Sequence, residues 1–209
     1  MKNIHVVTNP LIKRDITYLR NKLTKEYQFR LALRRIAYAL VIEISNEFEM
    51  VEFEVETPLE ITKGYNLKKQ IIFVPVLRAG LSLVNSFVEM IPSAKVGHIG
   101  LQRDEKTLKP IDYYYKAPKN LNESKVIVLD PMLATGGSAS AAFSFLKKRG
   151  AIDCVMASLI AAPEGIGLYK VRQKIFDFGK SKSQATSYFL QLTTNGKCFP
   201  PKGSCLKFE

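Results

Sequence analysis

The sequence predicts an α/β fold, a mainly parallel sheet flanked by helices, and three observations carry that expectation. Continuous apolar runs of strand length, IIFVPVL (71–77), KVIVLD (125–130) and CVMASLIAA (154–162), recur along the chain. Segments with helical spacing separate them. The first two runs each end in a turn that carries glycine, RAG and PMLATGG. Strands apolar on both faces belong between two covering layers, and strand–helix alternation makes the connections parallel.

The elements follow in order. From Pro10 to about Ser45, apolar residues recur at helical spacing with Lys and Arg between them, which predicts N-terminal helices. VEFEVETP alternates as a strand should, and Pro58 ends it. IIFVPVL precedes the helical LSLVNSFVEMI, and KVGHIGL precedes a polar stretch. KVIVLD leads to SASAAFSFLKKRG, a helix with basic residues in its last turn and Gly150 just beyond. CVMASLIAA then leads to PEGIGLYKVRQ. With no repeat, low-complexity segment or linker, the expected organisation is one domain over residues 1–209. It comprises helices at 10–45, a core sheet at 50–170 and a tail at 172–209.

Composition narrows the class. A chain of 209 residues with 46% hydrophobic content can bury a full core. No apolar run approaches the roughly 20 residues of a membrane span, and MKNIHVV lacks the features of a secretory leader. Three cysteines, Cys154, Cys198 and Cys205, form neither a disulfide framework nor a zinc pattern. A cytoplasmic protein is the expectation. The formal charge is +12, and residues 170–209 hold eight Lys or Arg against two acids. Elsewhere the basic residues are dispersed without an RNA-binding aromatic signature, so nucleic acid is not the expected partner.

Chemistry concentrates where strands end. In parallel sheets ligands sit beyond the carboxyl ends of the strands. Asp130 stands at such an end, and Thr135, Gly136, Gly137 and Ser138 lead into the next helix. Glycines permit close approach, and amides at a helix start hold an anion. An acid is ill suited to a phosphate but suits the hydroxyls of the sugar that carries it. The loop therefore reads as a binder of a phosphorylated sugar, although Asp-Pro followed by Thr-Gly-Gly-Ser also makes an ordinary turn. It contains neither GxxxxGK[ST] nor GxGxxG. Arg78, after VPVL, points a guanidinium at whatever covers the sheet and favours paired phosphate oxygens. Gly100 to Lys116 holds seven charged residues and three consecutive tyrosines, the mix of a flexible hood hairpin or of a plain solvated one. His98, in mid-strand, reads as a packed core histidine; His5 is unassigned.

DPMLATGGS, VPVLRAGL, RDEKTLKP with YYYK, VETPL and AAPEGI together resemble uracil phosphoribosyltransferases in order and spacing, over about residues 5–170. The resemblance implies a phosphoribosyltransferase-like fold. It also implies an enzyme that transfers ribose 5-phosphate from phosphoribosyl pyrophosphate (PRPP) to uracil, giving UMP and pyrophosphate in pyrimidine salvage. Mg²⁺ would accompany PRPP, with no separate protein-held metal; GTP would be a possible effector and a homo-oligomer the working form. Asp130, Pro131, Met132, Leu133, Ala134, Thr135, Gly136, Gly137 and Ser138 would form the PRPP loop. Within it, Asp130 would take the ribose hydroxyls and the Thr-Gly-Gly-Ser amides the 5-phosphate. Arg78 and Arg103 would bind the pyrophosphate. No residue is assigned as general base, because the family does not demand one. After about Arg172 the chain departs from the family's GYIIPGLGDAGD-like stretch, by a rebuilt base pocket or an altered reading frame. No uracil-binding residue is therefore carried over. Two other readings compete: a PRPP-binding regulatory protein, and a phosphoribosyltransferase for another base.

Overall fold

The computed structural model of the protein describes residues 4–7, 9–103, 110–162, 165 and 187–191. Two N-terminal helices come first after the short strand β1 (Ile4–Val6): α1 (Pro10–Arg20) and α2 (Glu26–Ser45). Asn9 caps α1 by accepting from the Leu11 amide at 2.9 Å, and Pro10 occupies the first turn, where its missing N–H costs nothing. Asp15 of α1 is buried beside Arg35 of α2, whose Nε donates to it at 2.6 Å. Burial works to raise this carboxyl, but hydrogen bonds from Arg35 and Arg14 outweigh it and hold the group below its usual range.

Next come β2 (Met50–Glu56) and β3 (Ile61–Leu67), an antiparallel hairpin forming its own two-stranded sheet. The sequence reading anticipated β2, with Pro58 beyond its end, but not β3. ITKGYNL has no clean alternation; its strand state comes from seven residues paired with β2 and from Thr57, whose hydroxyl and amide both reach the Glu60 carbonyl.

The main sheet has nine strands among the described residues, ordered β1, β11 (Ser187–Gln191), β10 (Asp153–Ala161), β8 (Lys125–Leu129), β4 (Ile71–Leu77), β6 (His98–Arg103), β7 (Pro110–Lys116). The short strands β5 (Lys95–Val96) and β9 (Met132–Leu133) pair off this path with β4 and β10. All pairings are parallel except the antiparallel β6–β7. Alternate residues of β4 divide between two cores. Ile71 and Phe73 pack with α1, α2 and α3 (Leu81–Met90), while Ile72, Val74 and Val76 pack with α4 (Gly137–Lys148). Helices on both faces explain why these strands read as unbroken apolar runs.

His98 corrects an expectation. It is half-buried at the start of β6, whereas its neighbour Ile99 is fully buried on the opposite face. The PEGIGLYKVRQ segment and the tail 172–209 lie outside the described residues, apart from Gly165 and β11.

Candidate active site

β4 and β8 run parallel in continuous register, from Ile71 opposite Lys125 to Pro75 opposite Leu129. Their carboxyl ends therefore emerge side by side. Beyond β4 a cis peptide joins Leu77 to Arg78, and Arg78, Ala79 and Gly80 turn the chain into α3. The Gly80 amide donates to the Val76 carbonyl at 2.9 Å, and the Leu81 amide to the Arg78 carbonyl at 3.1 Å. Arg78 itself is exposed. Gly80 is needed for space: a Cβ there would stand 2.3 Å from the Leu129 carbonyl oxygen. The arginine turn thus rests on the last residue of β8, one position before Asp130.

From Asp130 the chain is held from beneath by β10. The Asp130 amide donates to the Ala157 carbonyl at 3.1 Å, and the Ser158 hydroxyl donates to the Asp130 carbonyl at 2.6 Å. The Pro131 carbonyl accepts from the Leu159 and Ile160 amides, and the Ala162 amide donates to Leu133 at 2.8 Å. Ser158 is fully buried, so the Asp130 carbonyl cannot exchange this bond freely for water. Replacing Ser158 by alanine is expected to cost about 1–3 kcal/mol, the price of an unmet buried acceptor, read from denaturant unfolding.

The Asp130 carboxyl is oriented by the Met132 amide, which donates to its Oδ1 at 3.2 Å. Desolvation nevertheless pushes its pKa up to about 6, with the Met132 bond opposing only part of the shift. Ala134, Thr135 and Ser138 are exposed, and Gly136 among them is buried. Gly136 has φ 76°, a left-handed conformation that favours glycine. The N-cap Gly136 makes no side-chain cap bond, so among the described residues the first amides of α4 face the dipole's positive end without a side-chain cap. Gly165, from the PEGIG stretch, packs beneath the loop; a Cβ on it would reach 2.4 Å from the Ala134 carbonyl. These features make an anion cradle with one carboxyl at its edge.

The hairpin anticipated at Gly100–Lys116 is formed by β6 and β7. Leu77 opposite Gly100 sets β6 beside the end of β4. Arg103 ends β6, with its backbone opposite Pro110; its side chain and residues 104–109 lie outside what is described. Tyr115 anchors β7 to α4, edge-on to Phe145 at 5.1 Å, with the Arg149 guanidinium 4.4 Å over its ring. The hairpin base and α4 are thus packed together.

The structure therefore brings Arg78 and the Asp130–Ser138 loop to one place. Sequence reasoning placed Gly80 and Gly165 in quoted motifs without their packing roles, and it missed the support from Ser158. The signal for Ser158 was present, a lone hydroxyl within the apolar CVMASLIAA. Cys154 is buried, and that burial pushes its thiol up to about 12, away from the thiolate form. Among the described residues no three His, Cys, Asp or Glu side chains lie together as a metal cage, and no helix is long and apolar enough to cross a membrane.

A family model described as uracil phosphoribosyltransferase matches residues 6–178. A uracil phosphoribosyltransferase of Salinibacter ruber is 48% identical over 166 residues, 79% of each chain. Another, of Lactobacillus delbrueckii subsp. bulgaricus, is 42% identical over 204 residues, 97% of this chain and 95% of that one. The latter alignment reaches into residues 172–209. Among solved structures, the AQ2163 protein of Aquifex aeolicus superposes with a TM-score of 0.77 at 32% identity, covering 90% of this chain and 86% of that one. A purine phosphoribosyltransferase of Pyrococcus horikoshii shares the fold at TM-score 0.51 and 16% identity, covering 77% and 82%.

Proposed function

The chain belongs to the uracil phosphoribosyltransferase family, and from that premise we propose that it transfers ribose 5-phosphate from PRPP to uracil, using Arg78, Arg103 and the Asp130–Ser138 loop as its PRPP-binding residues. It is a pentosyltransferase producing UMP and pyrophosphate. The observation that carries the assignment is the backbone contact between Gly80 and Leu129, which sets the arginine turn against the acid of the phosphate loop.

The chemistry follows from charge. Breaking the anomeric C–O bond leaves positive character on the ribose and negative charge on departing pyrophosphate. The Arg78 and Arg103 guanidinium groups would neutralise that charge from fixed positions, so the stabilisation needs little reorganisation. The first amides of α4 and the hydroxyls of Thr135 and Ser138 would anchor the 5-phosphate. Asp130, ionised above about pH 6, would accept from the ribose hydroxyls. Mg²⁺ belongs to the substrate: a single recessed carboxyl and no cage of donors among the described residues suit an ion that arrives on PRPP oxygens and adds charge neutralisation. No general base is assigned. No uracil-binding residue is assigned.

The proposal extends to a homo-oligomeric, cytoplasmic enzyme with GTP as an effector. The hairpin β2–β3 supports assembly, since Phe53, Ile61 and Tyr65 are exposed by 49%, 68% and 60% on one outlying element. Residues 1–209 would then be one phosphoribosyltransferase-like domain. The test is pyrophosphate release from PRPP and Mg²⁺ with uracil, with another base and without base. Uracil-dependent release with UMP formed is expected. PRPP binding without turnover would replace this reading with a regulatory protein, and release with another base would reassign the acceptor.

A further inference from the structure

Among the described residues, the hairpin β6–β7 meets the other strands at its base. β6 pairs with β4 through Ile99, opposite Val76, and Gly100, opposite Leu77. Beyond them, Leu101, Gln102 and Arg103 have β7 as their strand partner, opposite Asp112, Ile111 and Pro110. The register shifts between Gly100, which faces Tyr114, and Leu101, which faces Asp112, so Tyr113 is an extra residue on β7. A bulge of this kind bends the strand it interrupts. Leu101, Gln102 and Arg103 carry the chain roughly 10 Å past it, at about 3.3 Å per residue. A tilt of about 6° at the bulge therefore moves the Arg103 backbone by about 1 Å.

The base of this lever is fastened to α4 through one cation. Arg149, which ends α4, places its guanidinium 3.4 Å over the Phe145 ring and 4.4 Å over the Tyr115 ring. Phe145 belongs to α4 and Tyr115 to β7, so the cation bridges helix and strand. Tyr115 also packs on the core that contains Ile99, Phe143 and Leu146. Among the described residues no carboxylate pairs with Arg149, whereas Arg14, Arg30, Arg34 and Arg35 each have one. The two rings fix this guanidinium, and the negative end of the helix dipole favours a cation there. The other end of α4, at Gly137, is the phosphate cradle. One helix of 12 residues thereby joins the cradle at its start to the hairpin clamp at its end.

We propose that Arg149 is a positioning residue for PRPP, clamping Tyr115 to α4 so that Arg103 is held at a set distance from the 5-phosphate cradle. The proposal rests on the reading of Arg103 and the Asp130–Ser138 loop as PRPP-binding residues. Arg149 stands about 18 Å from the start of α4, at about 1.5 Å per residue, so it acts through the hairpin and on the pyrophosphate end of PRPP.

Ribose 5-phosphate separates the two ends, since it carries the phosphate and ribose hydroxyls of PRPP but no pyrophosphate. Calorimetric titration of the full chain with each compound, in Mg²⁺ and without base, tests the assignment. R149M keeps bulk over the rings and removes the cation. It is expected to weaken PRPP about tenfold and to leave ribose 5-phosphate within about twofold of the wild type. R103A is expected to weaken PRPP at least as much. On that background R149M should add less than about twofold, because the residue it positions is gone. Y115L opens the clamp from the strand side and should reproduce the split between the two compounds. K148M removes the neighbouring exposed charge and is expected to leave both affinities unchanged. Equal weakening of both compounds by R149M would make Arg149 a support of α4 itself and overturns the proposal. So do additive losses in R149M/R103A, wild-type PRPP affinity in R149M, or a loss in K148M equal to that in R149M. Each of these leaves the reading of Arg103 standing. An R103A protein that binds PRPP as the wild type does overturns that reading and the proposal together.

Discussion

Replacing Gly80 by alanine is expected to lower kcat/KM for PRPP about a hundredfold, although the side chain added is one methyl group. Gly80 has φ −60° and ψ −23°, angles open to any residue, so the requirement is spatial. The new Cβ would lie 2.3 Å from the Leu129 carbonyl oxygen, 2.7 Å from the Val76 nitrogen and 2.8 Å from the Val76 oxygen. All three are backbone atoms of adjoining sheet strands, so no flexible side chain can yield. The turn must lift, and Arg78 lifts with it away from Asp130. An overpacked site of this kind costs about 1–3 kcal/mol of stability. Initial rates over a PRPP series, with a thermal melt alongside, check the result. Wild-type kcat/KM in the folded variant would show that the spacing of the two turns does not set catalysis.

That contact also marks how far the sequence could be read. Strand–helix alternation gave the parallel sheet, because strands covered on both faces must be apolar throughout. Gly150, anticipated as a helix stop, has φ 92° just after the basic last turn of α4. Arg78 and the Asp130 loop were legible because glycine and charge interrupt apolar runs at strand ends. The hairpin strand β3 was not, since its order comes from β2 across the turn and its own composition argues against a strand. The edge strand β1 and its neighbour β11 owe their state to parallel partners far away in sequence, Ile4 standing opposite Ser187. Contacts between Gly80 and Leu129, or Ser158 and Asp130, join segments that no local pattern connects. Position in a motif showed that Gly80 was special; only the fold shows what it makes room for.

Replacing Asp130 by asparagine is expected to separate function from stability. A carboxyl whose folded pKa stands at about 6, above an ordinary 3.8, is held protonated by the fold through the interval between them. Above that interval the folded protein carries a partly desolvated charge that the unfolded chain solvates freely, so the group works against stability at neutral pH. Asparagine has no charge to desolvate and retains an oxygen for the Met132 amide. The unliganded variant should therefore melt at or above the wild-type temperature at pH 7.5, while kcat/KM for PRPP falls about a hundredfold with the loss of a charged acceptor for the ribose hydroxyls. The pH profile gives the sharper signature. In the wild type, kcat/KM should climb through about pH 6 as the carboxyl ionises and then level. Phosphate groups of PRPP titrate in the same region, and the variant isolates them: whatever slope remains in asparagine belongs to the substrate, and the difference belongs to Asp130. Parallel profiles in the two proteins would remove Asp130 from PRPP recognition. A variant that melts lower than the wild type would make it a structural residue, with the desolvated charge compensated elsewhere in the site.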